Sequence, residues 1–345
     1  MLCYILIKFL YEGFVEKMLI LGIDTSCDDT AAAIVENGRR IISNAVSSQN
    51  EIHEKYGGIV PELASRRHME MIWPVVDEAL NSASLKFSDL SAVSVTYAPG
   101  LIGSLLVGVC FAKSLSFVNN LPLIAVNHLE GHIFSTFLEH DPKFPFLALI
   151  ASGGHTSIYI VSDVGYYAEV GRTRDDAAGE AYDKVAKLLG LGYPGGPFID
   201  ILAGKGDPEA ISFPRARVQD SLDFSFSGLK TAVLYHVKKN PETRKEDIAA
   251  SFQAAVTDVL INRVIEISKK ENIVNVALSG GVSANSGLRS VFKKTAASKG
   301  WELYLPSRHL CTDNAAMIAS AGYYRFKRGE TADMSLNPKA YLPLA

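Results

Sequence analysis

The stretch MLILGIDTSCDDTAAAIVE, residues 18–36, carries the pattern that decides the fold. An apolar strand, a polar turn and a second apolar strand follow one another, which predicts a tight β-hairpin. The same order of strand, polar glycine turn and strand returns in FLALIASGGHTSIYIVSD, residues 146–163. Two such hairpins predict a duplicated unit with one copy in each half of the chain.

Strands that run directly into helices predict an α/β architecture around these hairpins. AVSVTYAPG (92–100) reads as a strand, and LIGSLLVGVCFAKSLSFV after it reads as a buried helix. NVALSGGVSANSGLRSVFKKTAAS reads as a short strand, a glycine turn and a helix. Between the second hairpin and this element, helical patterns predominate, so we expect a helical insertion packed on the second half.

The composition indicates a folded chain without a global cationic field. Of 345 residues, 48% are hydrophobic and 21% are charged, which suits two domains or one bilobal unit. The net charge of −3 means that binding of a nucleic acid would need local patches or a basic partner. The candidate phosphate contacts are Arg66 with Arg67, Arg215 with Arg217, and Lys293 with Lys294, although a solvated face explains any single pair equally well.

The cysteines and the apolar segments indicate whether the protein belongs in a reducing compartment or in a membrane. Four scattered cysteines without a CxxC spacing argue against a disulfide framework and suit a reducing, cytoplasmic setting. Residues 1–17 begin with an apolar run too short to span a bilayer, and no other segment approaches that length, so we expect no membrane association. We interpret residues 1–17 either as a non-native stretch upstream of a start at Met18 or as a peripheral extension.

Three small polar turns leave apolar strands, at residues 25–29, 152–156 and 279–285. Glycines in the second and third turns allow a ligand to approach the backbone. Together the turns favour an adenine-nucleotide type of ligand, although each alone fits an ordinary turn. GLGYPG (190–195) matches GxGxxG but follows a helical segment instead of a strand, and no P-loop is present, so neither standard phosphate motif applies.

The hexapeptide NHLEGH, residues 127–132, suggests a metal site. On a helix His128 and His132 lie one turn apart, so both rings can reach one metal ion. Zinc peptidases carry HExxH, but Leu129 holds the position of the general base here, and Glu130 faces away from the two rings. Asp313 could be a third ligand, and the alternatives are two satisfied histidines and an Asp313 that caps the last helix.

Taken together, several motifs resemble, in order and nearly letter for letter, those of the bacterial TsaD family of tRNA adenosine threonylcarbamoyltransferases. The resemblance runs from about Met18 to the C-terminus, and its motifs are PELASRRH, APGLIGSLLVG, NHLEGH, LIASGGHT, DDAAGEAYDKVAKLLGLGYPGGP, DFSFSGLKTAV, GGVSAN and CTDNAAMIA. It implies a duplicated actin/Hsp70-like bilobal α/β fold. On this basis we expect a first lobe at residues 18–130, completed by a helix at about 313–330, and a second lobe with the helical insertion at 131–312.

The resemblance also implies a reaction. Members transfer a threonylcarbamoyl group from threonylcarbamoyl-AMP to N6 of adenosine 37, in the anticodon loop of tRNAs that read codons beginning with A. They work with the proteins TsaB and TsaE. They hold one divalent metal per subunit, usually Fe²⁺ and in some reports Zn²⁺.

Motif by motif, the implied metal ligands are His128, His132 and Asp313. The implied substrate contacts are Ala151, Ser152, Gly153, Gly154, His155, Asp183, Gly196, Asp200 and Asn285. No residue is identified as the general base. The chain departs from the family pattern ETSCDET, because DTSCDDT places the shorter Asp24 and Asp29 at its two glutamate positions.

Three other functions compete with this one. A metalloendopeptidase is disfavoured by the position of Glu130, and a non-enzymatic scaffold by the retained histidines and Asp313. A sugar kinase or general ATPase of the same fold is disfavoured because histidines are poor ligands for magnesium.

Overall fold

The structure, a computed structural model, describes residues 17–219 and 221–344 and contains two five-stranded mixed sheets. The first sheet has the order β3-β2-β1-β4-β5, formed by β1 (Leu19–Asp24), β2 (Asp29–Glu36), β3 (Arg40–Ser48), β4 (Ala92–Ala98) and β5 (Leu123–Asn127). The second has the order β10-β9-β6-β7-β8, formed by β6 (Phe146–Ala151), β7 (Thr156–Asp163), β8 (Tyr166–Arg172), β9 (Asn275–Ser279) and β10 (Glu302–Tyr304).

The two sheets have the same topology. In each, the first three strands pair antiparallel, and the fourth and fifth strands add parallel beside the first. The predicted hairpins are β1 with β2 and β6 with β7, at the expected positions. The duplication predicted from the repeated strand pattern is therefore present in the sheet topology.

Eleven α-helices lie within the described residues. They are α1 (Asn50–Glu54), α2 (Pro61–Ala83), α3 (Ile102–Asn119), α4 (His128–Phe134), α5 (Ala178–Leu188), α6 (Gly195–Ala203), α7 (Ser227–Lys239), α8 (Lys245–Glu271), α9 (Ser286–Lys299), α10 (Arg308–Cys311) and α11 (Ala315–Lys327). Short 3-10 turns occur at Phe87–Asp89, Ser135–Leu138 and Gly281–Ala284. The helices α5 to α8 form the predicted insertion between β8 and β9.

The apolar core forms layers on both faces of the two sheets. One apolar cluster joins α2 and α3 to the outer face of the first sheet, and another joins the insertion helices to the outer face of the second. The central cluster lies between the sheets and contains α4 and α11. Along β6, Leu147 and Leu149 belong to the outer cluster while Phe146 and Ala148 belong to the central one, as strand periodicity requires.

The structure corrects two expectations about apolar segments. The helix predicted to be buried, α3, packs one side on β4 and α2 but exposes Ile102, Leu106, Phe117 and Val118. By length and composition alone, both α3 and α8 could cross a membrane, whereas we expected no such segment beyond the N-terminus. The apolar window of α8 is 78% buried inside the protein, against 33% for α3, which marks α8 as a core helix. The expectation for residues 1–17 lies outside the described residues except at Lys17.

Candidate metal centre and substrate cleft

The helix α4 places both histidines in the central layer. It begins where β5 ends, and the Asn127 side chain caps it by accepting a hydrogen bond of 2.9 Å from the Leu129 amide. His128 and His132 are buried, and their ring centroids lie 4.7 Å apart. The one-turn spacing thus presents two imidazoles on one face, as the sequence predicts.

Asp313 lies beside the histidine pair. Its Oδ1 is 3.5 Å from Nε2 of His128 and 3.4 Å from Nε2 of His132. The cap of α11 is Asn314, whose side chain accepts from the Met317 amide, so the alternative that Asp313 caps this helix is wrong. The structure brings the three predicted ligands together, while their role as ligands stays a prediction.

The spacing of the three side chains fits one metal ion. One ligand atom from each residue lies within 4.8 Å of the others. Bonds of about 2.1 Å in a tetrahedron separate ligand atoms by about 3.4 Å, which matches the two distances to Asp313. Neither ring nitrogen of His132 has a hydrogen-bond partner within the described part of the chain, so this buried ring has a nitrogen available to bind a metal ion. Two imidazoles and a carboxylate suit Zn²⁺ or Fe²⁺ better than Mg²⁺.

Asp24, at the end of β1, orients the first histidine. Its Oδ2 lies 3.3 Å from Nδ1 of His128, so it supports the tautomer that leaves Nε2 facing Asp313. Burial favours the neutral ring of His128, but Asp313 and Asp24 outweigh it and raise its pKa to about 10. Burial and the neighbouring His128 lower the pKa of His132. Sequence reasoning missed this role of Asp24, although its position at the first turn had been noted.

Glu130 is fully buried and points away from the three predicted metal ligands. Its carboxylate accepts hydrogen bonds from the Tyr167 hydroxyl at 2.8 Å and from Nε of Arg325 at 2.7 Å. These bonds join α4 to β8 and α11. Glu130 is therefore a structural anion, and the orientation predicted by helix geometry is correct.

The predicted substrate loop, 151–155, makes two tight backbone contacts and lies close enough to the histidine pair for His128 and His132 to affect the pKa of His155. A Cβ added at Gly280 would lie 2.4 Å from the Ala151 carbonyl, and one at Gly179 would lie 2.6 Å from the Ser152 carbonyl. Burial, together with His128 and His132, lowers the pKa of His155 to about 4, so this ring is neutral at physiological pH. Within the described residues, no atom lies within 4 Å of a Cβ placed at Gly153 or Gly154, so their exposed backbone can accept a close ligand.

The other predicted substrate contacts form two groups. One is Asp183 with the turn before Gly196, and the other is Asp200 with the start of α9. Asp183 accepts a hydrogen bond of 2.7 Å from the Gly195 amide beside Gly196, and burial raises its pKa to about 6. Asp200 accepts from the amide and hydroxyl of Ser286. Asn285 caps α9, and its amide donates to Gln253, so part of its polar capacity is already used.

The first turn, residues 25–29, carries acids whose charges affect residues of the insertion. Burial, Asp28 and Asp313 raise the pKa of Asp29 to about 7. Burial and the charges of Asp28 in the first turn and Asp183 in α5 raise the pKa of Tyr193.

The candidate phosphate contacts named from the sequence include four arginines that are already paired with carboxylates. Arg66 pairs with Glu62, Arg67 with Glu70, Arg215 with Asp258, and Arg217 with Glu266. Such pairs weaken the case for these four arginines as an RNA surface.

Solved structures share this architecture and define the class as the actin/Hsp70-like fold. HypF in its phosphate- and nucleotide-bound form aligns with a TM-score of 0.61 at 16% identity, over 91% of this chain and 56% of HypF. Component A of (R)-2-hydroxyglutaryl-CoA dehydratase from Acidaminococcus fermentans aligns with a TM-score of 0.54 at 18% identity, over 89% of this chain and 98% of the other. The predicted fold class is confirmed.

The family follows from sequence comparison. The family model TsaD, tRNA N6-adenosine threonylcarbamoyltransferase, matches residues 40–320. Proteins of that name from Thermodesulfovibrio yellowstonii and Caldicellulosiruptor saccharolyticus are 58% and 52% identical to this chain. Each alignment covers 95% of this chain, with 100% and 98% of the respective relative. The chain belongs to the tRNA N6-adenosine threonylcarbamoyltransferase family.

Proposed function

We propose that this protein transfers a threonylcarbamoyl group from threonylcarbamoyl-AMP to N6 of adenosine 37 in tRNAs that read codons beginning with A. Family membership supports the reaction class. The observation that carries the assignment to this cleft is the convergence of His128, His132 and Asp313 beside the 151–155 loop. Besides these three proposed metal ligands, we propose as substrate contacts Ala151, Ser152, Gly153, Gly154, His155, Asp183, Gly196, Asp200 and Asn285.

The reaction needs positioning more than a covalent nucleophile. N6 of adenosine forms a bond to the carbonyl carbon, the bond from that carbon to the phosphate oxygen breaks, and AMP leaves with the electron pair. One N6 proton is released to the medium. Because AMP is a good leaving group, no acyl-enzyme is required. Burial and nearby acids raise the pKa of Cys27, and burial raises that of Cys311, which supports the absence of a thiolate nucleophile.

The backbone around the glycine turns supports binding of the phosphate. Gly280 packs against the backbone of Ala151. Among the described residues, Gly153, Gly154 and Gly281 have open space where a Cβ would lie, so a phosphate could approach the backbone at these glycines. Asp183 and Asp200 can accept hydrogen bonds from ribose hydroxyls. These residues belong to the second sheet or to the elements packed on it. Asp24, in contrast, ends β1, and Asp313 precedes α11, which packs on the first sheet.

A divalent ion bound by His128, His132 and Asp313 would orient the threonylcarbamoyl group and act as a Lewis acid on developing charge. We propose Fe²⁺ as the ion, with Zn²⁺ compatible with the same donor set. Asp24 holds the His128 ring through Nδ1 and so keeps Nε2 toward the ion.

The near-neutral charge supports shared binding of tRNA. With a net charge of −3, the chain has few surplus cations for an RNA, and we propose that TsaB and TsaE complete the assembly, in the cytoplasm. We also propose that residues 18–130 with the C-terminal helix form one lobe and residues 131–312 the other. Their sheets, β1 to β5 and β6 to β10, support this division.

Transfer to tRNA tests the proposal directly. Threonylcarbamoyl-AMP and unmodified tRNA are incubated with the protein, TsaB and TsaE, and nucleosides are analysed after digestion. We expect modified adenosine with wild type, a loss of at least 100-fold with His128→Ala, and unchanged product with His236→Ala, a histidine of α7 outside the cleft. Equal product from wild type and His128→Ala would contradict the metal-centred site. Chelator-sensitive hydrolysis of casein without tRNA modification would instead favour a peptidase.

A further inference from the structure

A cavity of about 430 Å³ opens beside the substrate loop, on the side of β7, β8 and the C-terminal segment. It touches the 151–155 loop through Gly154 and His155 only, and most of its lining has no role in the site described above. Its inner wall includes Leu129, which lies next to His128 in α4. The cavity therefore adjoins the substrate loop through His155, and neither Asp183 nor Asp200 belongs to its lining.

The rim of the cavity combines an exposed aromatic ring with two guanidinium groups. Tyr341 is 70% exposed, and its hydroxyl accepts a hydrogen bond of 3.4 Å from Nη1 of Arg172. The side chains of Arg172 and Arg174 are 49% and 59% exposed. Each arginine already has a carboxylate partner, Glu169 for Arg172 and Asp223 for Arg174, which weakens their attraction for an anion as it does for the four paired arginines described above. The N–H groups that these pairs leave unused on the half-exposed guanidinium groups can still donate hydrogen bonds to a phosphate.

The floor of the cavity is rigid and polar. Glu169 is fixed by hydrogen bonds from the Ser157 hydroxyl at 2.9 Å and the Tyr159 hydroxyl at 3.1 Å. It lies 3.8 Å from Nη1 of Arg172, which holds the guanidinium over the cavity. A flat ligand entering here would meet an aromatic face at the rim and hydrogen-bonding groups at the floor.

This combination fits one nucleotide of single-stranded RNA. Proteins bind unpaired bases by stacking them on aromatic rings and bind the backbone with arginines. A volume of 430 Å³ lies in the range of sites for small ligands, so it admits one nucleoside and not a duplex. Two half-exposed arginines at one mouth also provide hydrogen-bond donors for phosphate oxygens, while Glu169 and Asp223 offset their charge.

We infer that this cavity, the acceptor pocket formed around His155, Glu169, Arg172, Arg174 and Tyr341, receives the acceptor nucleotide of the tRNA anticodon loop. Tyr341 stacks on the base, and Arg172 and Arg174 contact the adjoining phosphates. The inference rests on the proposed function and adds a subsite to it. It places the acceptor nucleotide on the β8 side of His155 and leaves the cleft near Asp183 for the donor.

Steady-state kinetics with the full chain, TsaB and TsaE test the inference. We expect Tyr341→Ala to raise KM for tRNA about ten-fold, the size expected for one lost stacking contact, with KM for threonylcarbamoyl-AMP unchanged. Tyr341→Phe keeps the ring and should remain near wild type. Arg172→Ala and Arg174→Ala should each raise KM for tRNA and flatten its dependence on salt.

A direct binding measurement separates base stacking from turnover. An anticodon stem-loop RNA with 2-aminopurine at the acceptor position lacks the reactive N6 amine, so its fluorescence reports stacking alone. Quenching should saturate with wild type and Tyr341→Phe and should be lost with Tyr341→Ala. The matched controls are Tyr166→Ala, an equally exposed tyrosine at the other end of β8, and Arg244→Ala, an exposed arginine on the insertion. Both should behave as wild type.

These experiments distinguish failure of the acceptor pocket from failure of the proposed function. If wild type makes no modified adenosine, the function itself is wrong. If wild type is active and Tyr341→Ala leaves KM for tRNA and the quenching unchanged, the acceptor pocket is overturned. A Tyr341→Phe variant as impaired as Tyr341→Ala would overturn the stacking role, because the hydroxyl bond to Arg172 would then carry the effect.

Discussion

Glu130 shows how one buried residue decides between two interpretations of NHLEGH. A glutamate near two metal-binding histidines invites comparison with zinc peptidases, in which it activates water. Here the carboxylate is saturated by Tyr167 and Arg325 and lies on the opposite side of the helix from the rings. Its physical role is to hold α4 to β8 and α11, and this role can be measured separately from catalysis.

We predict that Glu130→Gln lowers stability but keeps activity. The variant removes the buried carboxylate that faces Nε of Arg325 and leaves Glu330 as the remaining carboxylate partner of this arginine. The loss should cost about 2 kcal/mol and lower the unfolding midpoint by about 3 °C. Metal content and transfer at 20 °C should match wild type. Calorimetry, metal analysis and nucleoside analysis check these points. Glu62→Gln, which removes an exposed ion pair on α2, is the control and should leave the midpoint unchanged. Loss of transfer by a folded Glu130→Gln would contradict the structural role.

The raised pKa of His128 predicts proton release on metal binding. At neutral pH the metal-free ring is protonated, because its pKa is about 10, whereas a metal ligand must be neutral. Each ion should therefore displace about one proton, and affinity should fall as pH is lowered from 9 to 7, by about ten-fold per unit. Titration calorimetry with Zn²⁺ in buffers of different ionisation enthalpy counts the protons.

Asp24→Asn is the informative variant for this proton count. It removes one of the two carboxylates that raise the pKa of His128 while keeping the size of the side chain. We expect fewer protons released at pH 7 and a shallower dependence of affinity on pH. Wild type that binds Zn²⁺ without releasing protons would show that His128 is neutral in the metal-free protein, contrary to the prediction.

For single residues, the sequence predicts contacts between neighbours on one helix and misses contacts that arise only when distant segments fold together. The pair His128 and His132 follows from one helical turn. Asp24 meets His128 only because β1 and β5 flank β4 in the same sheet, and no local pattern encodes that contact. Tyr341 lies after the last predicted helix, and its proposed role depends on its contact with Arg172 of β8, which no local pattern predicts.

The C-terminal helix α11 depends on a strand glycine for its position. A Cβ at Gly22 of β1 would lie 2.3 Å from the Ala315 carbonyl and 2.6 Å from the Ala319 amide. Ala315 begins α11, two residues after Asp313. The bare backbone of β1 thus allows the helix to approach closely enough for Asp313 to reach the histidines.

We predict that Gly22→Ala weakens both stability and metal binding. Contacts of this length are impossible for a real Cβ, so the start of α11 must shift away from the strand and carry Asp313 with it. We expect a loss of about 3 kcal/mol, typical of an overpacked core, and at least ten-fold weaker affinity for Zn²⁺. Denaturant unfolding and metal titration measure the two effects.

The matched control for this variant is Gly228→Ala in α7. Within the described residues, no atom lies within 4 Å of a Cβ at Gly228, and alanine is the better helix former, so stability should stay equal or rise slightly. Metal affinity should not change. If Gly22→Ala retained wild-type affinity for Zn²⁺ although destabilised, the position of Asp313 would not depend on this helix contact.

Strand positions were predictable where a polar turn interrupts a continuous run of buried apolar residues. The hairpins β1–β2 and β6–β7 fall within the predicted stretches because apolar residues fill both sides of a tight polar turn. The exposure of α3 was not predictable, because its apolar residues lie all round the helix and give no direction to the buried face. Only packing on β4 and α2 decides which side is covered.

For the whole molecule, the candidate metal centre lies where the two sheets meet. Its histidines come from α4 and its carboxylate from the start of α11, and both helices belong to the apolar cluster between the sheets. The duplication was visible in the sequence, but the convergence of segments some 180 residues apart results from stacking the two copies face to face. An ion bound there would add a further link between α4 and the start of α11; the two helices already share apolar contacts and the Glu130–Arg325 ion pair.

We therefore predict that metal binding stabilises the whole fold. A ligand that binds only the folded state at 100 times its Kd adds about 2.7 kcal/mol, which raises the unfolding midpoint of a chain this long by about 4 °C. Zn²⁺ added to chelator-treated protein should produce this shift in calorimetry. His132→Ala should abolish this shift, because it removes one of the three proposed ligands. The His132 ring has no other hydrogen-bond partner within the described residues, so the variant loses no other polar contact. His236→Ala, in α7, should keep the shift. An equal shift with His132→Ala would mean that Zn²⁺ stabilises the protein at another place, and the three-residue centre would lose its support.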